Sequence, residues 1–113
     1  MGFNCVQIYV FWNAHQPKEG LWDFSDNLDL EAFLSLIQEM GIYAIVRVGP
    51  YVCAEREHGG FPAWLTIKKG MILRDSDEQY HRYVNAHLAK VNEIVAKHQI
   101  YKGGNVLMAQ LVK

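Results

Sequence analysis

Cysteine is scarce in this sequence, charge is nearly balanced and no long apolar run occurs. Each shortage closes off a class of protein. Cys5 and Cys53 are the two cysteines among 113 residues. They allow one disulfide at most and match no metal-ligand spacing. Both stand beside apolar strand residues, so buried free thiols are expected. Eleven basic against twelve acidic residues leave a formal net charge of −1, which gives no electrostatic footprint for nucleic acid or an acidic membrane. No apolar run reaches about 18 residues and no signal-peptide pattern is present, so neither a membrane span nor an export leader is expected here. Internal repeats and low-complexity tracts are missing. His15 and His58 complete no ligand set, so no metal or other cofactor is expected.

What remains is an ordinary globular composition, 50% hydrophobic and 20% charged, of one domain's length. A chain this long buries roughly two thirds of its unfolded surface. Its organising stretch is Arg47 to Leu65, RVGPYVCAEREHGGFPAWL. An apolar strand from Tyr43 breaks at Gly49-Pro50 and delivers an aromatic, a thiol and two carboxylates into a loop closed by Gly59-Gly60. Open α/β architectures present chemistry in this way, at the carboxyl ends of parallel strands.

In chain order, Cys5 to Trp12 is a β-branched and aromatic strand. Alternation puts Val6, Ile8 and Val10 on one face and Gln7, Tyr9 and Phe11 on the other. In a barrel the apolar set would meet the helices and the mixed set would look inward, with Tyr9 near the top of the lumen. A polar loop follows to Asn27, with Trp22 and Phe24 as apolar anchors. Leu30, Phe33, Leu34 and Ile37 mark a helix face, capped by Asp26 or Asn27 and stopped at Gly41. A second helix runs from about Asp77 to Lys97, capped by Asp75 or Ser76, with Tyr80, Val84, Leu88, Val91 and Val95 as its stripe. His81 and His87 are assigned to its solvated face, and His98 to the dipole at its end. Val106 to Leu111 is a third strand. The same parity count points Tyr43, Ile45, Val106 and Met108 inward and groups Gln7, Arg47 and Gln110 into an interior polar layer. Phe61 and Trp64 are read as further loop anchors on the rim.

Strand, helix, strand, helix, strand means an α/β fold with parallel strands and right-handed crossovers. A closed (β/α)8 barrel needs about 250 residues, so residues 1–113 are expected to form part of one. The chain enters a strand almost at once after Met1-Gly2-Phe3, as an excised piece would.

The strings IYVFWNAHQP, GLWDF, LDLEAFLSLIQEMGIYAIVRVGPYVCAE, GGFPAWL and GGNVLMAQL resemble the amino-terminal part of the family 35 glycoside hydrolases, the retaining β-galactosidases. The resemblance implies a partial TIM barrel made of its second, third and fourth strands with two intervening helices, and a β-galactoside or related carbohydrate as partner. It implies sugar contacts by Tyr9 at the end of one strand and by Ala54 and Glu55 after the next, with Cys53 beside them at the family's cysteine position. Aromatic faces such as Tyr9 and Trp12 would cover the apolar side of the sugar. Members of the family are often secreted or lysosomal.

The departures are specific. The family's acid/base ends a Gln-x-Glu-Asn-Glu string, whereas this sequence reads Gln110-Leu111-Val112-Lys113; the nucleophile lies on a later strand. No catalytic residue is therefore expected within the chain, and the isolated chain is expected to be inactive. Glu55 and Glu57 are not expected to replace the pair. Gln16 stands for the Glu of His-Glu-Pro, and Arg56 for a Trp. A non-catalytic scaffold without sugar binding is the alternative reading. The outer strands lack neighbours, and bare edges predict self-association.

Overall fold

The computed structural model describes all 113 residues. In chain order the elements are β1 (Cys5–Tyr9), α1 (Trp12–His15), α2 (Leu30–Glu39), β2 (Tyr43–Pro50), α3 (Ala63–Thr66), α4 (Glu78–Lys97) and β3 (Val106–Val112). The strands form one sheet in the order β1-β2-β3, and both pairs are parallel. The long helices α2 and α4 occupy the two crossovers, and α1 and α3 are single turns within the loops. This is the α/β arrangement the sequence predicts, an arc of a (β/α)8 barrel.

Both long helices cover the same face of the sheet. Ala44, Val46 and Val48 of β2 meet Leu34 and Ile37 of α2 and Val91 and Val95 of α4 in one buried cluster, with Val6 and Ile8 packed against it. Each fully buried aliphatic side chain of this kind contributes about 1.5–3 kcal/mol. The opposite face keeps Gln7, Tyr9, Tyr43 and Met108 exposed. Helices on one face only belong to a barrel wall; a doubly wound sheet carries them on both.

Several local expectations change. The first strand ends at Tyr9 rather than Trp12: Val10 still donates its N–H to the Arg47 carbonyl at 2.9 Å, and the chain then turns into α1. Val106 faces the helices, 4% exposed and inside the main core. The register jumps from Ala44–Val106 to Ile45–Met108, so Leu107 is an extra residue that reverses the parity of Val106. Both helix caps lie C-terminal to the residues expected. The Asp29 carboxylate accepts the Ala32 N–H at 2.9 Å and the Asp77 carboxylate accepts that of Tyr80 at 2.8 Å, each satisfying an otherwise orphaned donor.

His87 is the largest correction on α4. It is fully buried, not solvated, and its ring stacks on Trp12 with centroids 4.7 Å apart and planes 13° apart. Its position fits the spacing Tyr80, Val84, His87, Val91, so the apolar stripe itself carries it inward. Nε2 donates to the Val48 carbonyl at 3.1 Å, and Nδ1 is buried without a partner. Burial pushes the His87 pKa down from 6.5 to about 4, and burial also lowers that of His15. His98 is 8% exposed, with Nε2 3.8 Å from Glu31.

Two outcomes follow from these contacts. Asp29→Ala and Asp77→Ala should each cost about 1 kcal/mol in urea unfolding, while Asp26→Ala and Ser76→Ala should leave the midpoint nearly unchanged. Unfolded chains protonate His87 below pH 6.5 and the folded chain only near 4. Stability should therefore be full above 6.5 and fall by about 3 kcal/mol as the pH drops to 4. His87→Phe should flatten that pH dependence of the unfolding midpoint.

Candidate functional site

The carboxyl ends of β1 and β2 lie side by side, with Tyr9 opposite Arg47 in the register. Tyr9 is 37% exposed. The Arg47 guanidinium carbon stands 4.5 Å from the centre of its ring, and Phe11 meets it edge-on at 6.4 Å.

Beyond β2 the chain turns sharply. Cys53, Ala54 and Glu55 all adopt left-handed backbone, with φ of 62°, 48° and 56°. For residues with a Cβ this costs roughly 1–2 kcal/mol each, so the surrounding loop must enforce it. It does so with backbone hydrogen bonds. The Val52 and Cys53 N–H groups both donate to the Gly59 carbonyl, at 2.9 and 3.0 Å, and Arg56 donates to the Cys53 carbonyl at 3.0 Å. Two glycines allow the closure: a Cβ on Gly59 would stand 1.8 Å from the Tyr51 ring, and one on Gly60 2.6 Å from the Val52 side chain.

After this turn Glu55 and Glu57 flank Arg56, whose backbone is extended again. Both line one hollow of about 390 Å³ with Asn13, Ala14 and Arg56. They still make no acid/base couple: both are exposed, and the apolar enclosure that prepares a carboxyl as a general acid is missing. Tyr9 lines a neighbouring groove of about 360 Å³ with Phe11, Ala14, Phe33 and Arg56. Ala14 and Arg56 therefore form the ridge between the two, and Tyr9 and Glu55 do not share a single cavity. The Arg56 guanidinium carbon lies 4.2 Å from the centre of the Phe11 ring.

Cys53 is exposed and Cys5 half-buried, and both thiols are free, contrary to the expectation of two buried ones. The left-handed turn carries Cys53 off the strand and into the open loop. Trp12 also departs from expectation. It is fully buried with Phe61, Leu65 and Tyr80, and its indole N–H donates to Oε1 of Gln16 at 2.8 Å. No face of Trp12 is open to a sugar, because α1 starts there and ends the strand's alternation. Gln16 thereby has a packing role, and its main-chain carbonyl accepts the Trp64 indole N–H at 2.8 Å.

Sequence parity does locate the polar layer. Oε1 of Gln110 accepts from Nε2 of Gln7 at 2.8 Å and from Nε of Arg47 at 2.9 Å, which ties the three strands together on the uncovered face. The link from Arg47 onward to the Val52 carbonyl, at 3.1 Å, has no signature in the sequence.

Comparison with known proteins agrees with this architecture. Residues 1–112 match the model of glycosyl hydrolases family 35. Similar proteins include "Beta-galactosidase 11" of Oryza sativa subsp. japonica, 38% identical over 112 residues, which are 97% of this chain and 13% of the rice protein. "Beta-galactosidase" of Mus musculus is 40% identical over 110 residues (97% of this chain, 17% of the mouse protein). "Beta-galactosidase" of Felis catus is 41% identical over 110 residues (97% and 16%). The chain thus spans less than a fifth of the length of these curated relatives, yet nearly all of it is matched. With parallel strands, helices on one face and a family match across 1–112, the chain belongs to the glycosyl hydrolases of family 35.

Proposed function

We propose that these residues form part of the sugar-binding wall of a glycoside hydrolase that removes terminal β-galactosyl residues by a retaining double displacement. Tyr9, Cys53, Ala54 and Glu55 are the proposed contacts. The observation that carries the reading is the shared placement of two loops. Parallel strands send the segments after β1 and β2 to the same end of the sheet, where barrels of this type keep their sites.

The chemistry suits the residues. A galactosyl ring offers hydroxyl donors, and the exposed carboxylate of Glu55 provides about four acceptor lone pairs. Hydrogen bonds to a charged acceptor are worth about 1.5–3 kcal/mol each. The Tyr9 ring supplies an apolar face, and the turned backbone at Ala54 supplies main-chain donors and acceptors.

Hydrolysis is a different matter. A retaining enzyme needs two carboxyl groups roughly 5–5.5 Å apart, one as acid/base and one as nucleophile. By resemblance both belong to segments outside these 113 residues, so the chain by itself binds without turnover. The unpaired outer edges of β1 and β3, with Met108 and Leu111 exposed, also favour association between copies of the isolated chain. A second reading, a scaffold without sugar binding, is favoured by the separate hollows that Tyr9 and Glu55 occupy.

Purified chain should leave a chromogenic β-galactoside uncleaved; turnover would refute the assignment of both catalytic groups elsewhere. Galactose titrated against the chain, followed by calorimetry, should give weak binding that Glu55→Gln reduces about tenfold or more. Binding unaffected by that change would remove Glu55 from the site, and no binding at all would favour the scaffold. Light scattering should show mass rising with concentration; a monodisperse monomer would count against edge association.

A further inference from the structure

The proposed contacts lie at the end of β1 and on the loop after β2, and one side chain reaches both. Arg47 is half-buried on the uncovered face of β2. Its Nε donates to Gln110 of β3 at 2.9 Å, and its Nη1 to the Val52 carbonyl at 3.1 Å. Its guanidinium carbon lies 4.5 Å from the centre of the Tyr9 ring. No carboxylate pairs with it.

The Val52 carbonyl is a pivotal place to hold. Val52 immediately precedes the left-handed run Cys53-Ala54-Glu55, and its own side chain is fully buried. From Cys53 to His58 every side chain but Ala54 is exposed, so packing does little to set this turn. The loop's other bonds run mostly between its own backbone groups. Arg47 is the one side chain of the sheet that hydrogen-bonds to residues 51–60. Neutral acceptors also constrain it more than an ion pair would. A guanidinium presents its donors in one plane at fixed directions, so satisfying Gln110 and Val52 together fixes that plane, and the Tyr9 ring lies against it.

From this juxtaposition we propose that Arg47 is a positioning residue, setting the Tyr9 ring and the entry to the Cys53–Glu55 turn relative to each other without itself touching sugar. The inference rests on the sugar-binding reading of those residues, and the experiment separates the two.

Amide exchange read by mass spectrometry on dilute chain needs no ligand. In Arg47→Met, peptides across 51–60 should exchange about tenfold faster, the consequence of one lost hydrogen bond, while α2 and α4 stay as slow as before. Arg47→Lys, with a single flexible ammonium, should fall between. Unchanged exchange over 51–60, or an equal acceleration throughout the chain, would overturn the proposal. Should Arg47→Met not fold, Gln110→Leu provides the contrast. It spares the Val52 bond and should leave 51–60 slow where Arg47→Lys quickens it; the reverse order overturns the proposal. In a parallel galactose titration, Arg47→Met should weaken binding about tenfold along with its faster exchange, whereas Glu55→Gln should weaken it about tenfold or more with exchange over 51–60 intact. An unsubstituted chain that ignores galactose refutes the sugar reading alone, because the exchange result still decides the role of Arg47.

Discussion

Ala44, Val46 and Val48 project from one side of β2 into both long helices, and they are almost completely buried. Everything else is arranged around that contact. With alternate residues of the central strand committed to the helices, the intervening ones, Tyr43, Ile45 and Arg47, must face the other way. Parallel pairing then places residues of β1 and β3 beside them, and the two crossovers put α2 and α4 on one side. The asymmetry of the sheet, dry beneath the helices and polar above, is a direct result.

The polar side is organised rather than merely exposed. Gln7, Arg47 and Gln110 share a hydrogen-bond layer across the three strands. Such a layer has to be satisfied internally or by water, because unpaired polar groups are costly wherever the face is covered. Here its central member extends past the sheet to the loop. A feature of the wall is thereby connected to the geometry of the turn that follows it. On the dry side, His87 spans α4 and the end of β2 through its bond to the Val48 carbonyl, held between that acceptor and the face of Trp12. Its neutral ring makes the join between helix and strand sensitive to acid.

How far the sequence reached differs from residue to residue. Period-2 alternation identified the faces of β1 and β2 and the inward set of Gln7, Arg47 and Gln110. It misplaced Val106, because Leu107 is inserted as an extra residue and one insertion reverses the parity of everything on one side of it. Period 3.6 found both long helices but omitted His87 from the stripe, since a histidine reads as polar until its partners are known. Trp12 and Cys53 were misread for a common reason. Each lies where the chain leaves regular geometry, so a count that assumes a strand no longer says which way a side chain points. Tyr9, Cys53, Ala54 and Glu55 entered as site residues through family resemblance, and no periodic pattern would have singled them out.

Sequence alone determined the alternation of strands and helices, the parallel order, the polar layer and the family, because these depend on repeating spacings and on contiguous strings. Tertiary structure decided that Trp12 and His87 stack in the interior, that Asp29 and Asp77 cap the helices, and that three residues after Val52 turn left-handed. The caps and the turn are local and depend on where the backbone leaves regular geometry, whereas the stacking of Trp12 on His87 and the bond from Arg47 to Gln110 join residues far apart in the chain. Neither the spacing nor the composition of a local segment encodes which distant group will be there to meet it.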